Sequence, residues 1–167
     1  MERMFQDSKG EEIFLDLEIP LLSPQRILKV GEWSTGYRVL RKFIEKRKKE
    51  IIRGEIPLCP QALGKVLGLS YPWIRERVCY LLYSTLFPFW WIERKIKEGR
   101  ELYGDNFMVG AGCIGKGITR MERIISPEEI RKVLQLSRKM GVREVIIYRL
   151  GGLRREFIAV LEEMLSA

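Results

Sequence analysis

Apolar and polar positions change period along this chain, and the changes mark its elements. The clearest stretch runs from Asn106 to Leu165. It reads NFMVGAGCIGKG, then SPEEIRKVLQLSRKMG, VREVIIYRLGGL and RREFIAVLEEML. A short apolar run, a Gly-rich turn and an amphipathic helix are followed by a second apolar run, a Gly-Gly turn and a second helix. This order predicts a β-α-β-α unit with two parallel strands. Phe107, Val109, Val145, Ile146 and Ile147 stand in near-continuous apolar runs, as expected of strands buried on both faces. Ser126, Pro127 and Glu129 form a capping box with a first-turn proline, and Val133, Leu134, Leu136 and Met140 give that helix its buried stripe before Gly141.

Upstream, EIFLDLEI at 12–19 is an apolar run ended by Pro20 and predicts a strand. Ser34 caps a helix expected over 37–53 with Gly54 as its stop. Within it, EKRKKE at 45–50 reads as a solvated face, with a nucleic-acid contact as the alternative. EIPLC at 55–59 predicts a short strand, and PQALGKVLGLSYP a short helix and turn. RVCYLLYST, starting at Arg77, is a buried strand or the end of a helix. WWIERKIKEGRELYGD predicts a helix whose inner face carries Ile92, Ile96, Gly99, Leu102 and Tyr103, with Gly104 as C-cap.

The expected architecture is therefore α/β: a mainly parallel sheet of about five strands, near 12–19, 55–59, 77–84, 106–111 and 143–149, with outer helices. Five strands cannot close an eight-stranded barrel, so the chain is expected to be an open sheet or a partial β/α barrel. In the second case an open edge calls for another copy, a homo-oligomer. No linker divides residues 1–167, which read as a single α/β domain.

Composition narrows the chemistry. The chain has no histidine, which removes the commonest general base and the Ser-His and Cys-His nucleophile pairs. Cys59, Cys79 and Cys113 are scattered through apolar runs, as for reduced buried thiols in a cytoplasmic protein, and make no zinc site. No metal and no cofactor is expected. No apolar run is long enough to span a bilayer, so no membrane partner is expected. The net charge of +8 suits nucleic acid or phosphorylated ligands, or a thermophile-like surface rich in Lys, Arg and Glu.

Three groups of residues carry candidate chemistry. Asp16 and Glu18, two apart in FLDLE, share a strand face at its carboxyl end. Two carboxylates so placed repel, and the drier one keeps its proton and can act as a general acid, or both are simple strand-end charges paired with Arg or Lys. The stretch resembles the D-x-E strand end of chitinase-like (family 18) glycoside hydrolase barrels. YLLYS at 80–84 resembles that family's M-x-Y-D strand, with Ser84 in place of the aspartate, and IIYRL at 146–150 its last strand. The resemblance implies that Glu18 protonates the glycosidic oxygen, Asp16 orients the substrate's acetamido group, Tyr83 contacts that group and Tyr148 stands at the floor position.

The second group is GAGCIGKG at 110–117, which matches G-x-x-x-x-G-K but carries Gly117 where a P-loop has Ser or Thr, and the next helix starts nine residues later. A looser anion cradle is the better expectation. It comprises Gly112, Gly115, Lys116 and Gly117, with Tyr148, Arg149, Gly151 and Gly152 after the next strand, against glycines needed only for turns. The partner is then a small-molecule, carbohydrate or phosphorylated ligand. The third group, residues 60–82, resembles a helix-turn-helix. If 90–103 formed a wing, Arg75 and Arg77 would face DNA, with phosphate contacts from Lys95 and Lys97.

Overall fold

Parallel strands need crossover connections, and the order of elements supplies them. The computed structural model describes residues 13–16, 42, 51–57, 77–112, 123–148 and 153–166. Their strands are β1 (Ile13–Asp16), β2 (Ile51–Glu55), β3 (Val78–Leu81), β4 (Phe107–Gly112) and β5 (Glu144–Tyr148). They lie side by side in that order, every pair parallel. Three described helices follow the last three strands: α1 (Phe89–Tyr103), α2 (Pro127–Lys139) and α3 (Arg155–Ser166). The chain is thus an α/β protein with a parallel sheet.

Strand alternation sorts the side chains into two layers. Val78, Tyr80, Leu82, Phe107, Val109 and Ala111 point to one face, where they meet Ile92 and Ile96 of α1, Ile130 and Val133 of α2, and Phe157 and Val160 of α3. All three described helices therefore cover the same face. The opposite face carries Ile52, Cys79, Leu81, Tyr83 and Met108, with Phe14, Ile56 and Ile146 against them.

Local chemistry explains the helix boundaries. At Ser126 the hydroxyl accepts from the Glu129 backbone N–H at 3.2 Å, and Glu129 Oε2 accepts from the Ser126 N–H at 3.0 Å. Gly104 and Gly141, at φ 56° and 72°, turn the chain out of α1 and α2 in a conformation that L side chains resist.

Several expectations are corrected. Residues 51–53 are not the end of a helix; they open β2, and the strand expected at 55–59 lies at 51–55. Ile51 and Ile52 are β-branched and both buried, which suits a two-faced strand better than the exposed last turn of a helix. Lys42 is helical and exposed. Leu102, expected on the buried face of α1, is 53% exposed. β5 is only half-buried from Val145 to Tyr148, because among the described strands it has a neighbour on one side alone. In α2 the buried positions are Ile130, Val133 and Ser137, with Leu134, Leu136 and Met140 partly covered. Residues 90–103 are helical, so no wing hairpin exists there.

Among the described glycines the tightest approach is at Gly99 of α1. A Cβ there would fall 2.1 Å from Phe107 Cε2, inside a ring that is itself 1% exposed in the core. Gly99→Ala is expected to lower stability by about 1–3 kcal/mol, as overpacking does, and urea denaturation measures it.

Candidate functional site

The carboxyl ends of β3, β4 and β5 bring one constellation together. Continuing the register of β3 with β4 by two residues sets Tyr83 level with Gly112, and Gly112 is in register with Tyr148. All three positions have the parity of the face opposite the helices. Gly112 makes their approach possible. A Cβ on it would lie 2.8 Å from Tyr83 Cε1 and 3.3 Å from the Tyr148 carbonyl oxygen. The Tyr83 ring occupies that space and stacks on Tyr148, with centroids 6.4 Å apart and planes inclined by 27°. Tyr83 is buried and Tyr148 half-buried, so the pair offers one accessible ring backed by a fixed one. Gly110 repeats the arrangement one step lower, where Leu81 Cδ2 fills the space of the absent side chain at 2.7 Å.

Gly112 lies in β4, and what it contributes to this stack is space. Gly115, Lys116, Gly117, Arg149, Gly151 and Gly152 lie outside the described residues, as do Glu18 and Arg75. Asp16 ends β1. Its register runs through Gly54 and Cys79 to Met108 and Glu144, four residues below the level of Tyr83 and Tyr148.

Arg77 stands at the amino end of β3, away from this constellation, and donates to Glu144 Oε2 at 2.6 Å. Lys95 donates to Glu98 at 2.7 Å and its ammonium lies 5.8 Å from the Trp91 ring centre. Lys97 is exposed on α1. Arg77 and Lys95 are thus engaged within the protein, and neither they nor Lys97 stands on a wing.

A second polar group was missed by sequence reasoning. Arg53 and Glu55, two apart in β2, both turn to the helix-covered face. Arg53 is 0% exposed; its Nη2 lies 3.0 Å from Glu55 Oε2 and donates to Tyr103 Oη at 3.0 Å. Its guanidinium carbon is 5.5 Å from the Tyr103 ring centre. Tyr103 meets Tyr80 edge to face, and Tyr80 meets Phe107 likewise at 5.1 Å. Burial pushes the Tyr80 phenol far above its ordinary range, and Tyr103 and Glu55 push it the same way. The phenol therefore stays neutral and bonds within the group. The available signal was RGE embedded in the apolar run IIRGEIPL, which strand periodicity would have placed indoors.

Glu129 is the other perturbed acid. Arg123 donates to both of its oxygens at 2.6 Å, and the Ser126 N–H donates as well. These bonds, the Arg123 pair first, hold its carboxyl below the usual 4.5 against the opposing effect of burial. Among the described residues no group of three acidic or cysteine side chains could hold a metal ion, and no helix is long and apolar enough to cross a membrane. Comparison with protein-family models, with curated proteins and with solved structures finds no match to this chain.

Two outcomes follow from these polar groups. Arg53→Ala leaves the Glu55 carboxylate buried without its guanidinium and is expected to cost about 3–5 kcal/mol in chemical denaturation, whereas Arg53→Met with Glu55→Leu costs less. For Glu129 the folded state has the lower pKa, so its contribution is present above about pH 4.5 and fades as the pH falls through the depressed folded value. Glu129→Gln should flatten the loss of stability below pH 4.5, read as midpoint against pH.

Proposed function

We propose that the chain is an α/β ligand-binding protein, built as a section of a β/α barrel, that takes a carbohydrate at the carboxyl ends of its strands. The observation that carries this reading is the Tyr83–Gly112–Tyr148 stack. Phenol rings present flat apolar faces to the C–H groups of a sugar ring and hydroxyls to its edge. The carboxyl ends of parallel strands are where such folds meet their ligands.

One feature supports barrel character. The described helices share one face, whereas a doubly wound sheet divides its helices between two. Asp16 lies four residues below the level of Tyr83, about 13 Å along the strand direction in a flat sheet. The strand tilt of an eight-stranded barrel, about one residue of shear per strand, would roughly halve that separation.

On this reading Glu18 is the general acid and Asp16 orients the group that attacks the anomeric carbon, as in the glycoside hydrolases whose strand end FLDLE resembles. The winged-helix reading draws no support from residues 89–103, which form a helix.

Titration with an N-acetylglucosamine oligomer, followed by calorimetry, tests binding. Tyr148→Ala is expected to weaken it roughly tenfold, about 1.4 kcal/mol and the upper end of one aromatic contact. Glu18→Gln is expected to abolish release from an aryl glycoside while leaving affinity in place. No binding by the unaltered chain, or binding indifferent to Tyr148→Ala, would falsify the site. A rate unchanged by Glu18→Gln removes the acid assignment alone.

A further inference from the structure

Among the described residues β5 ends the sheet, hydrogen-bonded to β4 on one side only. An edge strand exposes a row of backbone donors and acceptors, and proteins shield such edges with lysine, proline, a bulge or an inward charge. Glu144-Val145-Ile146-Ile147-Tyr148 has none of these in its interior; its one charge is at the first position. Val145 to Tyr148 remain partly exposed, so among the described residues the edge is apolar and lacks these devices.

The apolar surface continues onto α3. Phe157 and Val160 enter the core, and Glu163 accepts from Arg131 of α2 at 2.8 Å, which identifies the flank turned to α2. At about 100° per residue, Ile158 and Leu165 fall roughly 140–160° round the helix from Glu163. They thus occupy the flank turned away from α2, and they are 38% and 88% exposed. Arg155 and Glu162 border that flank, both exposed, three residues before Ile158 and four after it.

We propose that a second copy of this chain covers this surface, with the two β5 strands antiparallel about a two-fold axis at Ile146. Self-complementarity argues for a like partner. Reversal sets Val145 against Ile147 and Glu144 against Tyr148, carboxylate facing phenol, on every pair. The same axis brings the two α3 flanks together with Arg155 near the start of one helix and Glu162 near the end of the other, so the charges attract. The pairing joins each apolar edge to its copy and leaves neither exposed.

Sedimentation equilibrium of the full chain at a concentration on the order of 100 µM, above the micromolar constants of ordinary interfaces, tests the proposal. The expected mass is twice 19.7 kDa. Ile158→Glu with Leu165→Glu, both at exposed positions, should return a single-chain mass that still unfolds in one cooperative transition, lowered only by the loss of the partner. Ile146→Cys should form a disulfide-linked dimer on mild oxidation where the unaltered chain forms none, because the axis sets the two positions face to face. A single-chain mass for the unaltered protein overturns the proposal, and so does a doubled mass without the Ile146→Cys cross-link. Neither result bears on carbohydrate binding, which is measured separately.

Discussion

Every side chain from Val78 to Tyr83 lies away from water, and the pleat of a strand sends them to two different layers. β3 is the middle strand of the sheet. Tyr80 and Leu82 join the layer under the helices, while Cys79, Leu81 and Tyr83 join the opposite one. One strand therefore couples the two halves of the core. A slip of one residue in its register would exchange the layers, taking Tyr80 from its aromatic partners and Tyr83 from Gly112. The candidate site is precise because the strand that carries Tyr83 is held on both sides.

The Arg53–Glu55 pair shows how that layer is specified beyond shape. A buried guanidinium and carboxylate cost desolvation that their attraction only roughly offsets, so the pair contributes little net stability. What it does is restrict geometry. Arg53 reaches both Glu55 on its own strand and Tyr103 at the end of α1, and Tyr103 rests against Tyr80. The end of α1 is thereby tied to β2 and β3 through directional bonds, where apolar contacts alone would tolerate sliding.

On the opposite layer the two glycines of β4 do the complementary work. With no side chains at Gly110 and Gly112, Leu81 and Tyr83 of β3 lean across β4 and fill the space. Tyr83 can reach Tyr148 on β5 because the strand between them is bare at that level. The site is thus made by absence as much as by presence, and substitution on β4 would alter it without touching either tyrosine.

The α/β class and parallel sheet were legible in periodicity alone, because the swing between a two-residue and a 3.6-residue pattern is a local property of the chain. The capping box at Ser126 and the stops at Gly104 and Gly141 were legible for the same reason. Residues 51–53 misled because a charged block followed by Ile-Ile-Arg-Gly fits a helix end, and only the neighbours β1 and β3 make it a strand. The apolar run around Arg53 and Glu55 is a local hint of burial, but their partner Tyr103 stands on α1, 50 residues beyond Arg53. Likewise Gly112 read as a turn glycine, and its use as space for Tyr83 follows from register between strands distant in sequence. Sequence by itself determined which segments are strands or helices wherever local pattern suffices. Tertiary structure alone decided which polar groups are indoors and which residues meet, because contact between distant segments leaves no trace in local composition.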